Sequence, residues 1–219
     1  MRGAPAGSIR ISCSAAIGVL HISRLIFAFQ DRYPNIGVDL GLTDERVDLV
    51  REGVDVAFRL GPLTDSSMKL RSLGRSQRIM VAAPDYLAAR GRPAVPGDLC
   101  AHEGVRMSNV AGSDALALLG PDGRQYAVPF GGRFRVDHGL AVREALAAGR
   151  GIAPTHRWLV DDLLAAGRLE VILPDYSLPD VPLSMLIVPE RAAIARVRLL
   201  VDFFTEAIGT IPGIERSRN

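Results

Sequence analysis

Residues 38–61 read VDLGLTDERVDLVREGVDVAFRLG, and this stretch decides the fold class. Val38, Leu40 and Leu42 alternate with Asp39 and Gly41, the period-two pattern of a strand with one face on a core. Asp44 to Glu52 then reads as a short helix, Gly53 sits where a C-terminal glycine would stop it, and Val54, Val56, Phe58 and Leu60 make the next strand. Upstream, Ile9 and Ile11 alternate with Arg10 and Ser12 as an earlier strand. Ile17, Leu20, Leu25, Ala28 and Phe29 follow near helical spacing until Pro34 ends the helix. This β-α-β-α-β order predicts a mostly parallel sheet covered by helices.

A second unit of the same kind follows. After the apolar run Ile79 to Ala83, Pro84 opens a helix through Arg90, and Gly91 to Gly97 reads as a loop. Pro121-Asp122-Gly123 between Leu118-Leu119 and Tyr126-Val128 predicts a hairpin. Phe134 and Val136 suggest a strand, Leu140 to Ala148 a helix, Gly151 to Ala153 a buried strand, and Trp158 to Ala166 a helix ending at Gly167. A last apolar strand, Leu183 to Val188, precedes an amphipathic helix carrying Ile194, Val197, Leu200, Val201, Phe204 and Ile208. The second unit is thus inserted between the third strand and the final strand and helix. The expected architecture is α/β with two Rossmann-like lobes, residues 7–82 plus 185–210 in one and 84–180 in the other, with tails at 1–6 and 211–219. Two crossing segments, near 79–84 and 181–189, leave an inter-lobe cleft where strand ends and helix N-termini converge.

Composition narrows the class. A chain of 219 residues, 48% hydrophobic and 23% charged, can bury a real core. Its net charge is only +2, with no long run of like charges, which argues against a nucleic-acid-binding face on this segment. Cys13 and Cys100 match no metal or redox spacing and read as free thiols in a reducing cytoplasm. The apolar stretch from Ile11 to Ile22 fails as a secretory signal, being interrupted by Ser12, Cys13, Ser14 and His21, and no apolar run is long enough for a membrane span.

Several short stretches, in order, carry a resemblance. They are Gly7-Ser8-Ile9-Arg10-Ile11-Ser12, Phe29-Gln30-Asp31-Arg32-Tyr33-Pro34, Asp48 to Gly61, Ala82-Ala83-Pro84-Asp85-Tyr86-Leu87, Ala148-Gly149-Arg150-Gly151-Ile152-Ala153-Pro154 and Gly167-Arg168-Leu169. Over about residues 7–210 the chain resembles the effector-binding domain of LysR-type transcriptional regulators, which has a type 2 periplasmic-binding-protein-like fold. The resemblance implies a small organic effector, anionic or polar, bound in the cleft of a cytoplasmic protein that forms homodimers, and tetramers at full length. DNA would be reached only through an N-terminal winged helix-turn-helix. Nothing before Gly7 could form one, so the chain is expected to be a fragment of a longer regulator.

In that family the effector's polar groups sit where strands end and helices begin, because free N–H groups and the positive end of a helix favour anions. Ser12, Cys13 and Ser14 follow the first strand, and Ser14 resembles the family's anion-holding hydroxyl; it would equally serve as the N-cap of the helix. Thr43 is the corresponding residue after the second strand, with Asp44 beside it the better N-cap. Arg59 could pair with an anionic effector, or bridge to Asp55 or Asp65 at the surface. In the second lobe Asp137 and His138 follow a strand expected to face the cleft, opposite Ser14 and Thr43. His138 could instead be a satisfied structural residue. Pro154 and Thr155 end the next strand on the same wall, and Met107 and Asn109 are further candidates.

An enzymatic reading finds no support. The chain has no GxSxG elbow, HExxH, P-loop or GxGxxG after a strand, its four histidines lack metal spacing, and no cofactor motif is present. The rival reading is a solute-binding receptor of a transporter, which shares the two-lobed fold; an enzyme such as a prephenate dehydratase would need a catalytic set that is not found. The first helix carries more large apolar side chains than one stripe can cover, and the helix 140–148 offers small residues. A homodimer is expected in which these elements, with the second strand, pack across a two-fold axis.

Overall fold

The computed structural model describes residues 5–45, 48–63, 67–110 and 113–216. The chain divides into two compact units, Met1–Ser76 with Val181–Asn219, and Gln77–Asp180.

In chain order the first unit opens with β1 (Gly7–Cys13) and a helix in three parts: α1 (Ala15–Ile17), a π-helical turn (Gly18–Ile22) and α2 (Ser23–Arg32). β2 (Ile36–Leu42), β3 (Val56–Leu60) and β4 (Lys69–Ser76) follow. The second unit holds β5 (Arg78–Ala82), α3 (Pro84–Arg90), β6 (Val105–Met107), β7 (Ala115–Leu119), β8 (Gln125–Pro129), β9 (Phe134–Val136), α4 (Gly139–Ala147), β10 (Ile152–His156), α5 (Arg157–Ala165) and β11 (Glu170–Ile172). The chain returns to the first unit for β12 (Val181–Ile187), α6 (Ala195–Ala207) and β13 (Ile214–Arg216).

The first unit is a six-stranded sheet in the order β13-β4-β12-β3-β1-β2. β1 pairs in parallel with β2 and β3, as the β-α-β-α-β reading requires, whereas β12 and β13 pair antiparallel with their neighbours. Alternation on β1 turns Ile9, Ile11 and Cys13 into the core, where α6 covers the sheet. Phe58 and Phe204 are both fully buried with ring centroids 4.7 Å apart, an aromatic contact that fixes α6 on β3. Asp55 is buried just before β3, accepting from the Arg10 backbone N–H at 2.8 Å and facing Arg191 at 3.4 Å, so its charge is compensated.

Three expectations are corrected in this unit. The segment expected to be a helix from Asp44 to Glu52 is, over the described residues 48–53, a succession of turns in which the Asp48 carboxylate accepts from the backbone N–H groups of Val50 and Arg51. An Asx turn of this kind competes with helix. In the first helix the buried stripe is Ile17, Ile22, Ile26 and Phe29, not Ile17, Leu20, Leu25, Ala28 and Phe29. The π turn is the cause: Ser23 donates both its N–H and its hydroxyl, the latter at 2.8 Å, to the carbonyl of Gly18 five residues back, which shifts the helical phase. Finally, residues 211–216, expected to be a tail, bring Ile211 and Ile214 into the core and pair β13 with β4.

The second unit is built on the antiparallel sheet β10-β5-β11, the parallel pair β6-β9 and the hairpin β7-β8. Pro84 stands at the first helical position of α3. The hairpin closes through the Gly123 N–H to the Gly120 carbonyl at 3.0 Å, with Gly123 at φ +78°. The Gly-x-Gly at 149–151 has two separate causes. Gly149, at φ +65°, ends α4 in the left-handed conformation. Gly151 lies so close to the Glu103 carbonyl that a Cβ would sit closer than 3 Å to it. Among the described residues, no helix is long and apolar enough to cross a membrane.

Candidate functional site

In the first unit the ends of β1, β2 and β3 lie side by side, since Cys13 pairs with both Leu42 and Phe58. The loops that follow therefore converge at the start of the first helix. Arg59 donates from Nη2 to the Ser12 hydroxyl at 2.7 Å and from Nη1 to the Phe58 carbonyl at 3.0 Å. It does not pair with Asp55, which Arg191 occupies, and Asp65 lies outside the described residues. Burial lowers the Arg59 guanidinium below its ordinary value, with Cys13 and Asp44 pulling the other way.

Ser14 precedes the helix, but its side chain makes no capping hydrogen bond. The cap comes from elsewhere: the Asp44 carboxylate accepts from the Ala15 N–H at 3.2 Å. The place at the helix N-terminus that suits an anion is thus filled by the chain's own carboxylate. Asp44 was expected to cap a helix of its own and instead caps the first one. Thr43 donates its backbone N–H to the Cys13 carbonyl at 2.9 Å, while its hydroxyl accepts from the Glu45 N–H at 3.1 Å. Ser14, Thr43 and Arg59 are partly exposed and ring this helix start.

Cys13 does not fit a ligand contact, because strand alternation turns it fully into the core. Burial pushes its thiol up to about 12, the Arg59 charge opposing and Asp44 adding to the rise. Only a thiolate alkylates readily. Iodoacetamide near neutral pH should therefore modify the exposed Cys100 and spare Cys13 until the chain is unfolded. Peptide mapping by mass spectrometry reads the outcome, and equal labelling of both cysteines in the native protein would contradict this placement.

In the second unit, His138 is the N-cap of α4: its Nδ1 accepts from the Leu140 N–H at 3.3 Å, which in the neutral ring leaves the proton on Nε2. Asp137 is exposed beside it, and its carbonyl accepts from Asn109 Nδ2 at 2.9 Å. Met107 ends β6 opposite Val136, next to this group. Pro154 and Met107 both line a pocket of about 230 Å³ whose walls are largely apolar and which also holds Arg78 and Arg106. Thr155, the neighbour of Pro154, is buried on the opposite face of β10 and is withdrawn from that wall. Asn109 lines a separate pocket of about 460 Å³ with Arg106, Ser108, Asp114 and Arg135. What sequence reasoning missed is that Asp44 caps the first helix, and the residues Arg78 and Arg106. The available signal for the two arginines was position: Arg78 abuts the apolar run of β5, and Arg106 lies between Val105 and Met107. Among the described residues, no group of three or more His, Cys, Asp or Glu side chains could hold a metal ion.

The sequence matches the LysR substrate binding domain model over residues 2–209. It is 30% identical over 207 residues to the HTH-type transcriptional regulator CrgA of Neisseria meningitidis serogroup C (strain 8013), covering 94% of this chain and 68% of that protein. It is 30% identical over 202 residues to the HTH-type transcriptional activator AaeR of Escherichia coli (strain K12), covering 92% of this chain and 65% of that one. The chain thus spans about two thirds of the length of these relatives. Among solved structures it is similar to the CrgA regulatory domain from Neisseria meningitidis, with a TM-score of 0.83 and 27% identity over 92% of this chain and 98% of that one.

Proposed function

This chain belongs to the LysR substrate-binding domain family, and from that premise we propose that it senses a small polar organic molecule and passes the signal to a DNA-binding domain of a longer cytoplasmic regulator. The observation that carries the reading is the family match across nearly the whole chain, and the polar groups gathered at the strand ends of the first unit are in keeping with it. The relatives named above are transcriptional regulators, which favours this reading over a transporter's solute receptor or an enzyme. Effector contacts are assigned to Ser14, Thr43 and Arg59 in the first unit and to Met107, Asp137, His138 and Pro154 in the second, with Ser12 acting through its bond to Arg59. A ligand that binds one conformation better than another shifts the population, and only by that difference in affinity.

The test is a thermal-shift screen of the purified chain against small organic acids, amides and alcohols, since a bound ligand raises the melting temperature by mass action. With the hit in hand, Ser14→Ala and Thr43→Val should each weaken binding by about fivefold, the equivalent of ~1 kcal/mol for one hydrogen bond. Affinities within about twofold of the parent chain for both variants remove the first-unit assignment.

Self-association belongs to the same proposal. Val19 is 48% and Phe27 61% exposed on the first helix, and Leu42 is 41% exposed at the end of the edge strand β2. On the second unit a groove of about 690 Å³ runs along α4 past Ala141, Ala145, Ala148 and the exposed Phe134. A second copy covering these patches buries them in pairs. Ile26, beside Phe27 in the sequence, is only 4% exposed and belongs to the core, so Phe27 is the residue that tests the interface.

A further inference from the structure

The second unit contains a pair of cationic side chains that meet no anion among the described residues. Arg78 is the first residue of β5, where the chain has just entered the unit, and it is partly buried. Among the described residues, no hydrogen bond or ion pair reaches its guanidinium. Its cross-strand neighbour is His156, whose ring stacks on Trp158 at 5.2 Å between centroids and supplies no negative charge. Among the described residues, Arg106, on β6, reaches two backbone carbonyls, those of Phe130 and Gly132, each at 3.4 Å, and its buried Nε has no partner. Both side chains line the pocket of about 230 Å³, and no Asp or Glu lines it with them. Asp114 lines the separate pocket that shares Arg106.

Charges withdrawn from water without a counter-charge are disfavoured, and a fold that holds two of them at one pocket is arranged for an anion that arrives from outside. The remaining wall fixes the rest of that molecule's chemistry, being formed by Met107, Leu116, Phe130 and Val142. The volume corresponds to about eight waters at ~30 Å³ each, below the roughly 300–1,000 Å³ of sites for drug-sized ligands, so the occupant is compact.

We propose that this pocket binds a small organic acid, its carboxylate held by Arg78 and Arg106 and its ring or short branched body packed on Met107, Leu116, Phe130 and Val142. The assignment rests on the effector-sensing reading and deepens its second-unit part, to which Met107 and Pro154 already belong: Asp44 supplies a carboxylate at the helix N-terminus of the first unit, whereas the cations of this pocket wait for one. Burial lowers the Arg78 guanidinium from its ordinary value, in keeping with a charge held away from solvent before the ligand arrives.

The test uses benzoate, benzamide and acetate as probes, titrated calorimetrically into the purified chain. Benzoate should bind at a single site, with benzamide and acetate each at least tenfold weaker, because one lacks the charge and the other the apolar body. Arg78→Met should cut benzoate affinity at least tenfold and leave benzamide unchanged. It should also melt no lower than the parent chain without ligand, because Arg78 has no hydrogen-bond or ion-pair partner among the described residues to lose. Arg106→Gln should weaken benzoate in the same direction. Equal affinity for benzoate and benzamide, no binding of benzoate, or full benzoate affinity in Arg78→Met overturns the site. The two readings fail separately. A hit from the thermal-shift screen that binds Arg78→Met as tightly as the parent removes this pocket and keeps the sensing function, whereas a screen without any hit removes both.

Discussion

Gly151→Ala should destabilise the second unit by about 3 kcal/mol, the sum of a strained backbone conformation and overpacking. Gly151 stands at φ +153°, and an added Cβ would meet the Glu103 backbone closer than 3 Å. That backbone has little room to yield: the Ile152 N–H donates to the Glu103 carbonyl at 2.9 Å, and Gly104 donates to the Gly131 carbonyl at 2.7 Å, so three chain segments are fastened at one point. Gly149→Ala is the control. It keeps the left-handed penalty of ~1 kcal/mol, but its Cβ would find only ordinary contacts, 3.9 Å from Ala83 and Tyr86. Urea unfolding followed at Trp158, the sole tryptophan and a residue of the second unit, separates the two. A Gly151→Ala chain within ~1 kcal/mol of its parent would mean that the segments are not so close.

The second large effect is acid lability of the same unit. Burial pushes the His156 imidazole from 6.5 down to about 3, and the nearby Arg78 charge adds to the fall. The folded state therefore favours the neutral ring, and the unfolded chain takes up a proton first as pH drops. The stability involved is complete above pH 6.5 and is lost progressively as pH falls toward 3. One proton over two pH units corresponds to about 2.7 kcal/mol, and to about 2 kcal/mol once the ring's partial contact with solvent is allowed for. Urea titrations at about pH 7 and about pH 4.5 should give a loss smaller by that amount in His156→Gln than in the parent chain, whatever the variant costs at neutrality. Equal pH dependence in both chains would show that His156 protonates freely in the fold.

Much of this architecture was legible because buried strands announce themselves by alternation. Ile9 and Ile11, Val38 and Leu40, and Val56 and Phe58 were placed correctly, as was the hairpin around Pro121-Asp122-Gly123. β4 was not, since Lys69, Arg71 and Arg75 interrupt it and Leu73 is its one buried large apolar side chain, beside the buried Gly74 and Ser76, and β13 escaped as three residues beyond the last helix. The Asp44–Glu52 segment has good helix formers, yet the Asp48 side chain binds the backbone ahead of it and holds turns instead. At the candidate site, Ser14, Thr43 and Arg59 could be found because they follow strand ends. For Arg78 and Arg106 the one signal, a place beside apolar residues, is not enough to single them out, because a long cationic side chain reads the same in sequence whether its head reaches water or stays under a hydrophobic wall.

The π turn at Gly18–Ile22 has an implication for how the chain can change length. One end of this helix is tied to the strand ends by the Asp44 carboxylate, and the other is wedged into the core by Ile26 and Phe29. An ordinary helix of fixed pitch would seldom satisfy both anchors. The wider turn takes up one residue of slack, much as an expansion joint does between two fixed spans. Removing a single residue there should convert the turn to regular α-helix and cost far less than removing one from Ser23–Arg32, where each deletion would rotate every residue between it and an anchor by about 100°. Insertions and deletions in relatives are accordingly expected to collect in these five residues rather than elsewhere in the helix.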